Sequence, residues 1–133
     1  MSWPRALAAW LLIVAAETVH GTLRQLFLAP AIGDLHARQV GVLIGSLIIF
    51  VVAWLTIRWI GARTFGQQLA VGAVWVVLTV AFEFALGTAL GYPRARMLED
   101  YDLAAGGYMG FGLLFLLATP FLAARVRGFG PRA

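Results

Sequence analysis

Glu17, His20 and Arg24 lie inside an otherwise apolar run near the start of the chain. Ionisable side chains at membrane depth are costly, so such a run is a spanning helix only if those groups face protein or water. At about 100° per residue, Glu17, His20, Gly21, Arg24 and Leu28 fall on one narrow stripe. The rest of the chain must then be helices that cover that stripe.

Composition fixes the setting. Of 133 residues, 62% are hydrophobic and 12% charged, and the mean hydropathy is +0.88. A water-soluble fold of this length has too much surface to hide so many apolar side chains, so an integral membrane protein is expected. The absence of cysteine excludes disulfide frameworks, thiolate metal sites and thiol nucleophiles. All ten basic residues are arginine, the usage of a GC-rich bacterial genome. Apart from Arg24 they cluster at span ends, without the solvated basic face and stacking aromatics of a nucleic-acid binder, so no nucleic-acid partner is expected.

The periodicity predicts an all-α, four-helix transmembrane bundle as a single domain, with helices at about 4–29, 38–60, 66–90 and 103–125. Ser2 caps the first span, Pro4 sits in its first turn, and Pro30 is expected to end it. Arg5 followed by the apolar run 6–16 resembles a secretory signal, but apolar residues resume at Leu26-Phe27-Leu28, so the segment is expected to stay as a span. A turn is expected at Gly33-Asp34. The second span carries Gly41-x-x-x-Gly45-Ser46, a small-residue face for close helix packing, within the chain before a dimer. The third places Gly72, Thr79, Glu83 and Gly87 roughly on one side. Residues 91–102 form a polar interfacial loop with room for one helical turn after Pro93. Pro120 is expected to disturb the last span, with Thr119 satisfying freed carbonyls.

With four spans, the termini and the second connection share one side, which holds Arg5, Arg58, Arg63, Arg125, Arg127 and Arg132. The other side has Arg38, Arg94 and Arg96 among Asp34, Glu99, Asp100 and Asp102. This asymmetry predicts both termini in the cytoplasm of a bacterial inner membrane. Trp3, Trp59, Tyr92 and Tyr101 then fall at the interfaces, while Trp10, Trp54 and Trp75 are expected to face lipid or pack deeper.

That orientation gathers polar groups toward the outer leaflet. The candidate ligand or ion site is Glu17, His20, Arg24, Arg38, Gln39, Glu83, Asp102 and Tyr108, a pocket floored near Glu17. Several chemistries fit. In a structural network, Glu17 and Glu83 are neutralised by Arg24, His20 or Arg38. In a ligand site, carboxylates carry protons or hold a cation while Arg24 and Arg38 hold an anion, with His20 as relay. Glu17-x-x-His20, with Glu83, is a weak metal candidate, since a di-iron bundle needs two such motifs and more carboxylates. His36 suits a solvated loop better than a metal or haem. A membrane enzyme acting on a lipid-like or anionic substrate by acid–base chemistry is the alternative, but no G-x-S-x-G or H-E-x-x-H motif is present. The run Glu99-Asp100-Tyr101-Asp102 lacks EF-hand spacing and is expected to be a solvated loop.

The combination Glu17-x-x-His20-Gly21-x-x-Arg24, Ala37-Arg38-Gln39, Phe82-Glu83-Phe84 and Met97-Leu98-x-Asp100-Tyr101-Asp102 resembles a pattern in uncharacterised small bacterial four-helix membrane proteins. The resemblance covers most of the chain and implies the fold alone, with no activity to carry over. The small multidrug exporters differ, having a lone glutamate in the first helix without the following His and Arg. The asparagine and arginine signature of the four-helix glutathione-linked membrane enzymes is also missing. The expectation is a non-enzymatic membrane protein without a cofactor. Its partners are the lipid bilayer and, where it serves as an accessory subunit or in transport, other membrane subunits or further copies of itself.

Overall fold

The computed structural model describes residues 1–131; Arg132, counted above with the termini, lies outside the described residues. Four helices are long and apolar enough to cross a membrane: α1 (Trp3–Ile32), α2 (Asp34–Ile60), α3 (Phe65–Ala89) and α5 (Met109–Arg127). A short α4 (Arg94–Glu99) and a 3₁₀ turn (Leu103–Ala105) fill the connection between α3 and α5. The bundle is all-α among the described residues.

Local chemistry sets the ends. The Ser2 hydroxyl accepts the Arg5 N–H at 3.3 Å and starts α1. Thr64 and Gln67 form a reciprocal capping box at the start of α3. Gly61 and Gly128, both left-handed, stop α2 and α5.

Four expectations are corrected. Pro30 does not end α1, which continues to Ile32. The reason lies one turn earlier, where Arg24–Leu28 widens into a π-turn and the Ala29 N–H reaches back to Arg24 O. Pro30 then sits in the first turn of the resumed α-helical segment, where its missing N–H and its ring are tolerated. The connector shrinks accordingly to Gly33, at φ 90° and ψ 155°, a conformation open to glycine, and α2 begins at Asp34 rather than Arg38. The last span begins at Met109 rather than near Leu103, because Asp102 caps the 3₁₀ turn and left-handed Gly106 ends it. The Thr119 hydroxyl donates to Phe115 O, not to the Leu116 carbonyl that Pro120 leaves without its N–H donor.

In cross-section, α1 packs on α2, α2 on α5 and α5 on α3, while α1 and α3 touch only lightly. The consecutive helices α2 and α3 therefore lie across the bundle from each other. The two ends differ in packing. At the termini end, Ala6, Ile13, Ile57, Ile60, Val71, Trp75, Leu116 and Phe129 form a continuous core. Trp75 is fully buried and donates to Ala6 O at 2.9 Å. Ser2 N–H donates to Ile60 O, and Arg63 to Gly130 O, which draws the termini onto the α2–α3 turn. At the loop end, α1 has no buried residue, and those of α2, α3 and the α4–α5 connection are small ones, Ala37, Gly41, Gly45, Gly87 and Gly107. One half is solid and the other is hollow.

A polar cavity at the loop end

The hollow half holds a cavity of about 560 Å³. Its wall includes Glu17, His20 and Arg24 from α1, Arg38 and Gln39 from α2, Glu83 from α3 and Tyr108 at the start of α5. Seven of the eight candidate residues thus share one space. Asp102 does not join them; it is exposed, and its carboxylate accepts the Ala104 N–H at 3.0 Å.

Glycines make the room. A Cβ at Gly45 would lie 2.7 Å from Glu17 Oε2, and one at Gly41 would lie 3.0 Å from Arg24 Cδ and 3.6 Å from His20 Cε1. The ionisable stripe of α1 therefore lies along the glycine face of α2. That face is buried within the chain, so it is not free to receive a second subunit or copy.

The charged groups fall into two sets. Arg38, with its side chain 11% exposed, is held by three carboxylates: Nε to Asp34 at 3.0 Å, Nη2 to Glu99 at 3.2 Å, and Nη1 to Asp100. Arg96 completes this cluster at 3.5 Å from Asp34 and 3.6 Å from Asp100. The acidic run is thus a clamp on the start of α2, where a solvated loop was expected. Gln39 is also engaged, donating to Gly106 O at 2.8 Å.

The second set has almost no partners. Among the described residues, neither Arg24 nor Glu83 makes an ion pair within 4.0 Å, and Glu17 has only His20 Nδ1, at 3.9 Å. Glu17 Oε1, Arg24 Nε and the Tyr101 hydroxyl are buried without a hydrogen-bond partner. The expected network in which Arg24 or Arg38 neutralises Glu17 and Glu83 by direct pairing is not formed. Among the described residues, no group of three or more His, Asp or Glu side chains converges closely enough to hold a metal ion. His36 is exposed.

Tyr101, expected at an interface, stacks on Phe84, ring centroids 5.8 Å apart, at the cavity wall. Burial first, then the Glu83 and Asp100 carboxylates, push its phenol up to about 12. The unfolded chain releases this proton nearer pH 10. The fold therefore holds more protons in that window, and stability should fall as pH rises from about 10 to 12. Tyr101→Phe should remove that part of the alkaline loss, read from thermal melts across the window; an unchanged alkaline slope would show that Tyr101 is not the group responsible.

Sequence reasoning missed Tyr101, the Asp34/Glu99/Asp100 clamp and Arg96. The glycine pair was visible, and its spacing of four matched that of the ionisable stripe, but their apposition was not. Trp10, read as lipid-facing or packing, donates to Thr79 Oγ1 at 3.1 Å beneath the cavity.

No protein family, curated protein or solved structure matches this chain.

Proposed function

We propose that this is a ligand-binding integral membrane protein whose polar cavity lies in the outer half of a bacterial inner membrane, with both termini in the cytoplasm. The observation that carries this reading is that Glu17, Arg24 and Glu83 line one cavity and find no close partner of opposite charge, while neighbouring Arg38, Arg96 and Asp100 are all paired. A buried polar atom left without a partner costs about 1–3 kcal/mol. A site that keeps three such atoms, Glu17 Oε1, Arg24 Nε and the Tyr101 hydroxyl, is organised for something that fills it. The volume falls within the range of about 300–1,000 Å³ usual for small-molecule sites.

Binding is favoured over turnover by the state of the hydroxyls. Ser46 donates to Val42 O and Thr22 to Thr18 O, and Thr79 accepts from Trp10. Among the described residues, no cavity hydroxyl meets a general base, so the nucleophile–base pair of a hydrolytic site is not assembled. Glu17, His20 and Glu83 then serve to hold a cation or move protons, and Arg24 to hold an oxygen of the ligand. Binding is accordingly pH-dependent.

Native mass spectrometry of the protein extracted in mild detergent tests this. Wild type should carry a non-protein mass, and Glu83→Gln should lose it at unchanged folded yield. Bare chains in both samples would contradict the reading, and loss of the folded Glu83→Gln protein would return Glu83 to a structural role.

A further inference from the structure

The cavity wall has a gap. α1 and α3 meet near the termini end, where Trp75 donates to Ala6 O, Trp10 donates to Thr79, and the Trp10 ring meets Phe82 edge-on. Leu86 lies four residues beyond Phe82 and seven beyond Thr79, on the face that meets Trp10. Yet α1 does not cover it: Leu86 is 37% exposed, and Leu90, one turn on, is 59% exposed. On α1, Thr18, Thr22 and Leu26 form one stripe at spacings of four, and all three are exposed while lining the same cavity. The two helices therefore touch in one half and part in the other. The opening between them faces sideways, at the level of a bilayer, edged by Leu86 and Leu90 on α3 and by Thr18, Thr22 and Leu26 on α1. A portal meant for water alone gains nothing from such an edge.

The charge inside is equally specific. Once Arg38, Arg96, Asp100 and their partners are set aside, Glu17 and Glu83 remain against one Arg24, with His20 beside Glu17. Two carboxylates and one guanidinium are complemented by an ammonium placed next to an anionic oxygen. An anionic headgroup would satisfy Arg24 and leave both carboxylates facing negative charge.

Resting on the ligand-binding reading above, we propose that the cavity takes the headgroup of a membrane lipid that carries an ammonium beside a phosphate. The lipid enters sideways between α1 and α3, with its ammonium toward Glu17 and Glu83, its phosphate toward Arg24, and its acyl chains along Leu86 and Leu90.

The test uses the full chain in nanodiscs made of equal phosphatidylethanolamine and phosphatidylglycerol, released for native mass spectrometry. Wild type should retain phosphatidylethanolamine about tenfold over phosphatidylglycerol, the effect of one charge-assisted hydrogen bond. Glu83→Gln should bring the two close to parity. Leu86→Trp, which narrows the gap, should reduce lipid retention while glycerophosphoethanolamine, the tail-free headgroup, still binds by NMR. Equal or preferential retention of phosphatidylglycerol by wild type would overturn the proposal, as would lipid retention indifferent to Leu86→Trp. Binding of glycerophosphoethanolamine with no lipid retained would overturn the lipid inference alone. Failure of both would also remove the ligand-binding reading.

Discussion

Gly72→Ala should destabilise the bundle by about 3 kcal/mol, at the upper end of the usual cost of overpacking. A Cβ at Gly72 would run into the backbone carbonyl of Leu117 on α5, and a backbone atom cannot swing aside. The methyl can be housed only by separating α3 from α5, and that contact carries Trp75, Leu116 and Ala123 of the continuous core. Gly66, in the first turn of the same helix, has nothing within 4 Å of the corresponding position. Gly66→Ala should therefore be neutral, or stabilising by about 0.5–1 kcal/mol through reduced backbone freedom. Thermal or SDS denaturation in detergent separates the two variants; equal midpoints would show that α3 and α5 are not so closely apposed. Gly45→Ala belongs to neither class. Its Cβ meets only the end of the Glu17 side chain, so Glu17 can rotate away at modest cost in stability, but the cavity then loses a carboxylate from its place.

Arg38→Gln should cost about 2–3 kcal/mol. Removing one partner of a buried ion pair typically costs about 3–5 kcal/mol. Here Asp34, Glu99 and Asp100 are 43%, 40% and 33% exposed, so water recovers part of that. What remains is a cluster of three carboxylates with Arg96 as its remaining cation. Arg38→Lys should recover only part of the loss, because one ammonium cannot present the planar fork that reaches three carboxylates. Thermal melts of the three proteins at neutral pH check this. A variant as stable as wild type at neutral pH would mean that the α3–α5 connection is held by other contacts, such as Gln39 to Gly106 O.

The four spans were legible because apolar length alone identifies them, and the termini-end core followed from the greasy halves of those spans. Polar groups on the first, second and third spans, read as lying toward one end, line one cavity there. Long-range pairing was not legible. Arg38 and Asp100 lie 62 positions apart, and without the order of helices around the bundle nothing favours that pairing over Arg38 with Glu17. The path through Pro30 was hidden for a local reason: a π-turn in Arg24–Leu28 has no sequence signal, whereas Pro-Ala-Ile-Gly reads as a stop. The gap beside Leu86 was hidden because lipid-facing and cavity-edging leucines look alike in a sequence.

We propose that the cavity at the loop end is aqueous, polar and open to the outside, above a solid half. The chain has no cysteine, so single-cysteine variants report without background. Ser46→Cys lies on the cavity wall, and Val77→Cys replaces a residue of α3 that is 67% exposed and outside the cavity lining. Thiol labelling in intact cells with a membrane-impermeant cationic reagent is the measurement to make. Ser46→Cys should react from outside while Val77→Cys, facing lipid, stays unmodified. A Ser46→Cys as inert as Val77→Cys, or one that reacts only when the cytoplasmic side is exposed, would contradict it.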